Sequence, residues 1–128
     1  MRSRVYLLIT AVAYVASGCR AITGCDAIGY PGIDIAVRDA QNGLPAASSA
    51  ILTAAGRDKF GDTVTVSEAM PAAADNNTHF TILHGRAGVY ALQISKEGYH
   101  TWTRSEAHVG ERGCRTETLH LTAALEPL

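Results

Sequence analysis

Apolar and polar residues alternate along several short stretches of the chain. In Ile33–Arg38 the alternation places Ile33, Ile35 and Val37 on one face, which is the period of a strand with one buried side. Similar stretches follow, each bounded by turn-forming Gly, Asn, Asp or Pro. About seven strands are predicted: Ile33–Arg38, Ala47–Ala55, Asp62–Ser67, His79–Leu83, Val89–Ser95, Tyr99–Arg104 and Thr116–Leu125.

The connections between these strands favour an all-β sandwich over an α/β fold. No amphipathic stretch of about 10–15 residues separates the strands, as a crossover helix would. Asn42-Gly43 supplies the positive-φ pair of a tight turn. The segment Ser67–Thr78 has few large apolar residues and contains Pro71. It is expected to be either a mobile connector or a recognition loop.

The alternation also predicts which side chains fill the space between two sheets, because a slip of one residue would turn each of them to solvent. Trp102 is expected to cover an end or a face of this core. If side chains fill the interior, a ligand can bind only to an exposed sheet face or to the loops Asp39–Pro45, Ser67–Thr78 and Ser105–Gly113. The predicted core residues are Ile35, Val37, Leu52, Phe80, Ile82, Tyr90, Leu92, Leu119 and Leu121.

The amino-terminal segment has a different pattern. Arg2 and Arg4 precede Val5–Ala16, an apolar run of 12 residues without charge. This is the organisation of a signal peptide. A helix of that length spans ~18 Å, too short for a hydrocarbon core of ~30 Å. A mature transmembrane span is therefore not expected.

Small residues and a cysteine close this segment as Ala16-Ser17-Gly18-Cys19. The motif resembles the lipobox of bacterial lipoproteins, although Ala16 stands where Leu is commonest. The resemblance implies cleavage before Cys19 and its modification with lipid and fatty acyl chains such as palmitate, which together suffice for stable anchoring. Arg20, the residue after the cysteine, implies sorting to the outer membrane if the cell envelope has an outer membrane. The alternative is an ordinary secretory signal with a coincidental cysteine.

The chain thus divides into a signal peptide at 1–18, a tether at 19–29 and one domain at 30–128. If Cys19 carries lipid, Cys25 and Cys114 remain as a pair. An envelope compartment permits disulfides, so a Cys25–Cys114 bridge is predicted, with two free buried thiols as the alternative. No C-x-x-C or H-x-x-x-H spacing supports zinc.

Charge argues against a nucleic-acid partner. The chain has 11 Lys and Arg against 12 Asp and Glu, a formal net charge of -1, and no basic run along the sequence. Phosphate neutralisation needs clustered Lys and Arg. The expected partners are the membrane, through Cys19, and an envelope protein or glycan, through the loops.

Three stretches resemble the carboxypeptidase regulatory-like, transthyretin-like (prealbumin) family. They are Ile35–Ala46, which is similar to its first strand and G-x-P turn, Gly88–Tyr99, which is similar to its G-x-Y hairpin, and Cys114–Pro127, which is similar to its closing strand. The resemblance implies a seven-stranded antiparallel Greek-key sandwich. Some members hydrolyse 5-hydroxyisourate, but here Ala36 matches their first-strand histidine and their terminal Y-R-G-S is absent.

No other pattern predicts catalysis, and no cofactor is expected. The five histidines form no i, i+2 pair on one strand face, although two could meet across strands. No G-x-S-x-G elbow accompanies the serines. The favoured hypothesis is a non-catalytic, lipid-anchored envelope protein that acts as a binding or structural module. The alternatives are a small-ligand carrier, as in transthyretin, or a hydrolase or metal-binding protein.

Overall fold

The computed structural model describes residues 29–72 and 79–128, which contain eight strands. The strands are β1 (Ile33–Asp39), β2 (Ile51–Asp58), β3 (Thr63–Ala69), β4 (His79–Ile82), β5 (Gly88–Ser95), β6 (Trp102–Arg112), β7 (Arg115–Glu117) and β8 (Leu119–Leu125). The all-β prediction is confirmed, but the predicted number of seven strands is wrong. The stretch predicted as one final strand divides at Thr118. There the Thr118 hydroxyl donates to the Pro31 carbonyl at 2.6 Å, and the chain passes from one sheet to the other.

The strands form a three-stranded sheet of order β4-β1-β8 and a five-stranded sheet of order β3-β2-β5-β6-β7. The pairs of the five-stranded sheet are antiparallel, and so is the pair of β1 with β4. The first and last strands, however, run parallel, with Ile33 opposite Leu119 and Asp39 opposite Leu125. The expectation of a wholly antiparallel sandwich is therefore wrong at this pair.

The core lies between the two sheets and confirms most of the predicted alternation. Seven of the nine predicted core side chains are buried, and Trp102 packs against the core while half-buried. Leu119 and Leu121, on the outer strand β8, are only partly buried. Further along β8, Ala123 and Leu125 are fully enclosed.

The largest boundary differences from the sequence prediction lie at β2 and β6. Strand β2 begins at Ile51 rather than Ala47, because the Ala50 N–H donates to the Ala47 carbonyl at 3.0 Å and closes a turn. The predicted loop Ser105–Gly113 is mostly strand, since β6 continues to Arg112. A tight turn at Lys96–Gly98 follows β5, where the Tyr99 N–H donates to the Lys96 carbonyl at 3.1 Å and Gly98 has a φ of 86°.

The sandwich has two ends that differ in what they carry. At one end lie Gly29, where the described chain begins, and the connections at 59–62, 83–87 and 113–114. We call this the tethered end. The opposite end carries the connections at 40–50 and 96–101. Within residues 29–72 and 79–128, no helix has the length and apolar character needed to cross a bilayer.

Candidate functional site

A cleft with a volume of about 640 Å³ opens at the tethered end. Three connections form its walls: the turn from β2 to β3, the connection from β4 to β5, and the turn from β6 to β7. The first residues of the described chain form its remaining border. Its lining includes Lys59, Phe60, His84, Arg86, Glu111 and Cys114.

The turn from β2 to β3 is fixed by the side chain of Asp58. Its Oδ1 accepts the N–H of Phe60 at 2.9 Å and the N–H of Asp62 at 3.0 Å. Gly61 has a φ of 84°, a value that residues with a side chain rarely adopt. This geometry directs Phe60 away from the protein, and its side chain is 76% exposed.

The connection from β4 to β5 is held to the core and to the chain entry. The Tyr90 hydroxyl donates to the Arg86 carbonyl at 3.0 Å, and the Gly85 N–H donates to the Tyr30 carbonyl at 3.1 Å. Burial, and then the charge of Asp58, raise the pKa of Tyr90. Gly29 lies so close that a Cβ built on it would be 2.7 Å from the Cβ of His84. The chain entry is therefore part of the cleft wall.

The charged groups of the cleft come from distant parts of the sequence. Lys59 Nζ and Glu111 Oε1 form an ion pair at 2.5 Å between exposed side chains. The same ammonium lies 4.9 Å from the ring centroid of Phe60. Arg115 stacks on Tyr30 with its guanidinium carbon 4.9 Å from the ring centroid. The cleft thus presents exposed charged and aromatic side chains on turns of fixed geometry. Such an arrangement is suited to binding a partner.

The loops predicted for recognition lie in other places. Asp39–Pro45 is at the opposite end, where Asp39 accepts the Tyr99 hydroxyl at 2.7 Å. That hydrogen bond, with the N–H groups of Asn42 and Gln41, lowers the pKa of Asp39 despite its burial. Ser67–Thr78 is described only to residue 72, and Ser105–Gly113 reaches the cleft only through its final residues.

Of the predicted site residues, only Cys114 is within the described part of the chain. It lies in the turn from β6 to β7 and lines the cleft. Cys19 and Cys25 fall outside the described residues. The lipid attachment and the Cys25–Cys114 bridge therefore stay predictions.

The structure also brings together histidines that the sequence could not pair. Asp34 on β1 lies between two strands that each carry a histidine. Its Oδ1 is 2.8 Å from His79 Nδ1, and its Oδ2 is 3.6 Å from His120 Nδ1. Across the described residues, no three His, Cys, Asp or Glu side chains form a group able to hold a metal ion. This cluster thus links three strands on the outer face of their sheet.

A scan against protein-family models found no match, and a search of curated proteins found none either.

Proposed function

We propose that this chain is a lipid-anchored envelope protein with a non-catalytic β-sandwich of the transthyretin-like Greek-key type, which binds partners at its tethered end. One observation carries the proposal: the cleft, Gly29 and Cys114 all lie at the same end of the domain. A cleft built on fixed turns, beside the point where the tether joins, is suited to a partner that lies close to the membrane.

The length of the tether supports this arrangement. Cys19 precedes Gly29 by 10 residues, which span at most ~33–36 Å when fully extended. A bridge between Cys25 and Cys114 would leave only the residues from Cys19 to Cys25, a reach of ~20 Å. The acylated cysteine would then hold the cleft near the lipid headgroups, and Arg20 favours the outer membrane of an envelope with two membranes.

The sandwich type rests on the sheet order together with the sequence resemblance. The two packed sheets and the turns at Gly43 and Gly98, both with positive φ, agree with it. Ala36 argues against 5-hydroxyisourate hydrolysis, because a methyl group cannot transfer the proton that the histidine of those hydrolases would transfer.

The cleft also supports a second candidate, a small-ligand carrier. Its volume of about 640 Å³ falls within the ~300–1,000 Å³ of small-molecule pockets. Native mass spectrometry of the purified protein would separate the two candidates. A carrier retains a bound small molecule of constant mass, whereas a module for macromolecules or surfaces retains none.

Intact-mass analysis and membrane fractionation test the anchor. The wild-type protein is expected in the membrane fraction, with the mass of residues 19–128 plus acylated glyceride. Cys19→Ala is expected to appear as an uncleaved or soluble form. Thr23→Ala is the matched control, since it changes a tether residue and leaves the lipobox and every cysteine intact. A wild-type protein that begins elsewhere or carries no acyl chain contradicts the proposal.

A further inference from the structure

Basic residues gather at the tethered end although they are scattered along the sequence. Five of the eight Lys and Arg residues in the described part of the chain lie there, against four of its ten Asp and Glu residues. The Lys59–Glu111 ion pair removes one charge of each sign, which leaves four arginines against three carboxylates, and one of these, Asp58, accepts two N–H groups of its own turn. We call the exposed basic residues of this end, together with one aromatic residue, the rim: Arg57, Lys59, Phe60, Arg86, Arg112 and Arg115.

One pair within the rim brings two like charges together. Arg112 and Arg115 are directly opposite each other on β6 and β7, and like charges in that position destabilise a strand pair. The hairpin that carries them extends beyond β5, since Gly88 at the start of β5 pairs with Val109, three residues before Arg112. Its arginines are therefore presented outward from the domain. An anionic surface would relieve their mutual repulsion.

Aromatic side chains accompany these cations. Phe60 is 76% exposed at the tip of its turn, and Tyr30, also exposed, stacks under Arg115. Aromatic rings beside Lys and Arg are the groups that settle at a membrane interface, where the ring enters the headgroup region and the cation meets phosphate.

We infer that the rim docks on an anionic lipid surface and holds the tethered end flat against the membrane. The inference rests on the proposed function for the nearness of that membrane, because the tether joins the domain inside the rim. The chemistry rests on the rim alone, which offers an exposed ring and four arginines outside the Lys59–Glu111 ion pair. Anionic headgroups such as phosphatidylglycerol are the complementary partner.

Depth-dependent quenching of a single tryptophan tests the docking. The chain contains one Trp, Trp102, so Trp102→Phe removes the background. Phe60→Trp then places the reporter on the rim, and Leu44→Trp places a matched reporter at the opposite end, where Leu44 is 61% exposed. Each purified acylated protein is reconstituted into vesicles of brominated phosphatidylcholine with or without phosphatidylglycerol.

The reporter at position 60 is expected to be quenched several-fold more than that at position 44 in vesicles containing phosphatidylglycerol. The difference should shrink at 1 M salt, where the screening length falls to ~3 Å. Arg112→Glu with Arg115→Glu should reduce it further. Equal quenching of the two reporters, or quenching that ignores the anionic lipid, overturns the inference. A shift at position 60 caused by cell-wall glycan instead of vesicles would also overturn it.

Two measurements keep the test independent of the variants and of the anchor. Slower hydrogen exchange of the turn at 59–62 in the wild-type protein, on anionic vesicles only, is expected without any substitution. If mass analysis shows no acyl chain, the proposed anchor fails. The rim is then tested by cosedimentation of the unacylated protein with the same vesicles, where each arginine removed should weaken binding about fivefold. Absence of cosedimentation in that case refutes the docking as well.

Discussion

Tyr90 joins the core to the cleft, and two substitutions separate its two contributions. Its ring is buried, with 1% of the residue exposed, while its hydroxyl donates to the Arg86 carbonyl at 3.0 Å. Tyr90→Phe removes only the hydroxyl. Tyr90→Ala removes the ring as well and leaves a cavity between the sheets.

The expected magnitudes differ by several-fold. A neutral hydrogen bond contributes ~0.5–1.5 kcal/mol, and the lower part of that range applies because Arg86 is exposed and its carbonyl can bind water instead. Loss of a buried aromatic ring costs ~3–5 kcal/mol. The free energy of unfolding should therefore fall by ~0.5–1 kcal/mol in Tyr90→Phe and by several times more in Tyr90→Ala.

Urea unfolding at pH 7 measures the loss of unfolding free energy in both variants. The same measurement at alkaline pH tests whether the contribution of Tyr90 rises or falls with pH. Burial raises the pKa of Tyr90 above its ordinary value of 10.0. The unfolded state therefore loses this proton first, and the contribution of Tyr90 is complete below pH 10 and lost as pH rises through the folded pKa. The difference between wild type and Tyr90→Phe should shrink above pH 10. Equal costs for the two variants, or a difference that grows in alkali, would refute the reasoning.

Three further predictions concern the core, the end opposite the tether and the bridge. Leu92→Ala should lower the free energy of unfolding by ~2–5 kcal/mol, because Leu92 is 2% exposed. Val89→Ala on the same strand should change it by no more than ~0.5 kcal/mol, because Val89 is 43% exposed. Similar urea midpoints for the two variants would contradict the inward face of Leu92 and the outward face of Val89. The lowered pKa of Asp39 stabilises the fold above pH 3.8, and that stability is lost as pH falls through the folded pKa. Asp39→Asn should therefore flatten the loss of stability in acid, and parallel acid-unfolding curves would argue against this. A bridge between Cys25 and Cys114, 89 positions apart, should add roughly 4–5 kcal/mol; non-reducing peptide mapping detects it, and two alkylated thiols would exclude it.

The sequence predicted the strands whose alternation is strong and missed those where it is weak. Ile33–Arg38 and Val89–Ser95 place large aliphatic or aromatic residues at every second position, and both are strands as predicted. Within Ser105–Gly113, only Ala107 and Val109 face inward. One of them is small and the outward residues are polar, so the segment resembles a loop.

The parallel pair and the site depended on long-range contacts that no local pattern contains. Strands β1 and β8 pair in parallel because of their places in the sheet, and the sequence of neither strand specifies this partner. Likewise, Lys59 and Glu111 are 52 positions apart, and Asp34 is 45 positions from His79. The sequence contains no basic run because the cations of the rim come from separate turns. The turn residues Asp58 and Gly61 were visible, but nothing local showed which turns would meet.

The pairing of the first strand with the last has a consequence for the order of folding. Ile33 pairs with Leu119, 86 positions further along the chain, so one edge of β1 has no partner until Leu119–Leu125 has been synthesised. Contacts this distant along the chain slow folding, because a long loop must close before any of them forms. A chain that stops before Leu119 would leave β1 with β4 alone and an unpaired edge open to aggregation. The three-stranded sheet can therefore be completed only in chains that extend through Leu125.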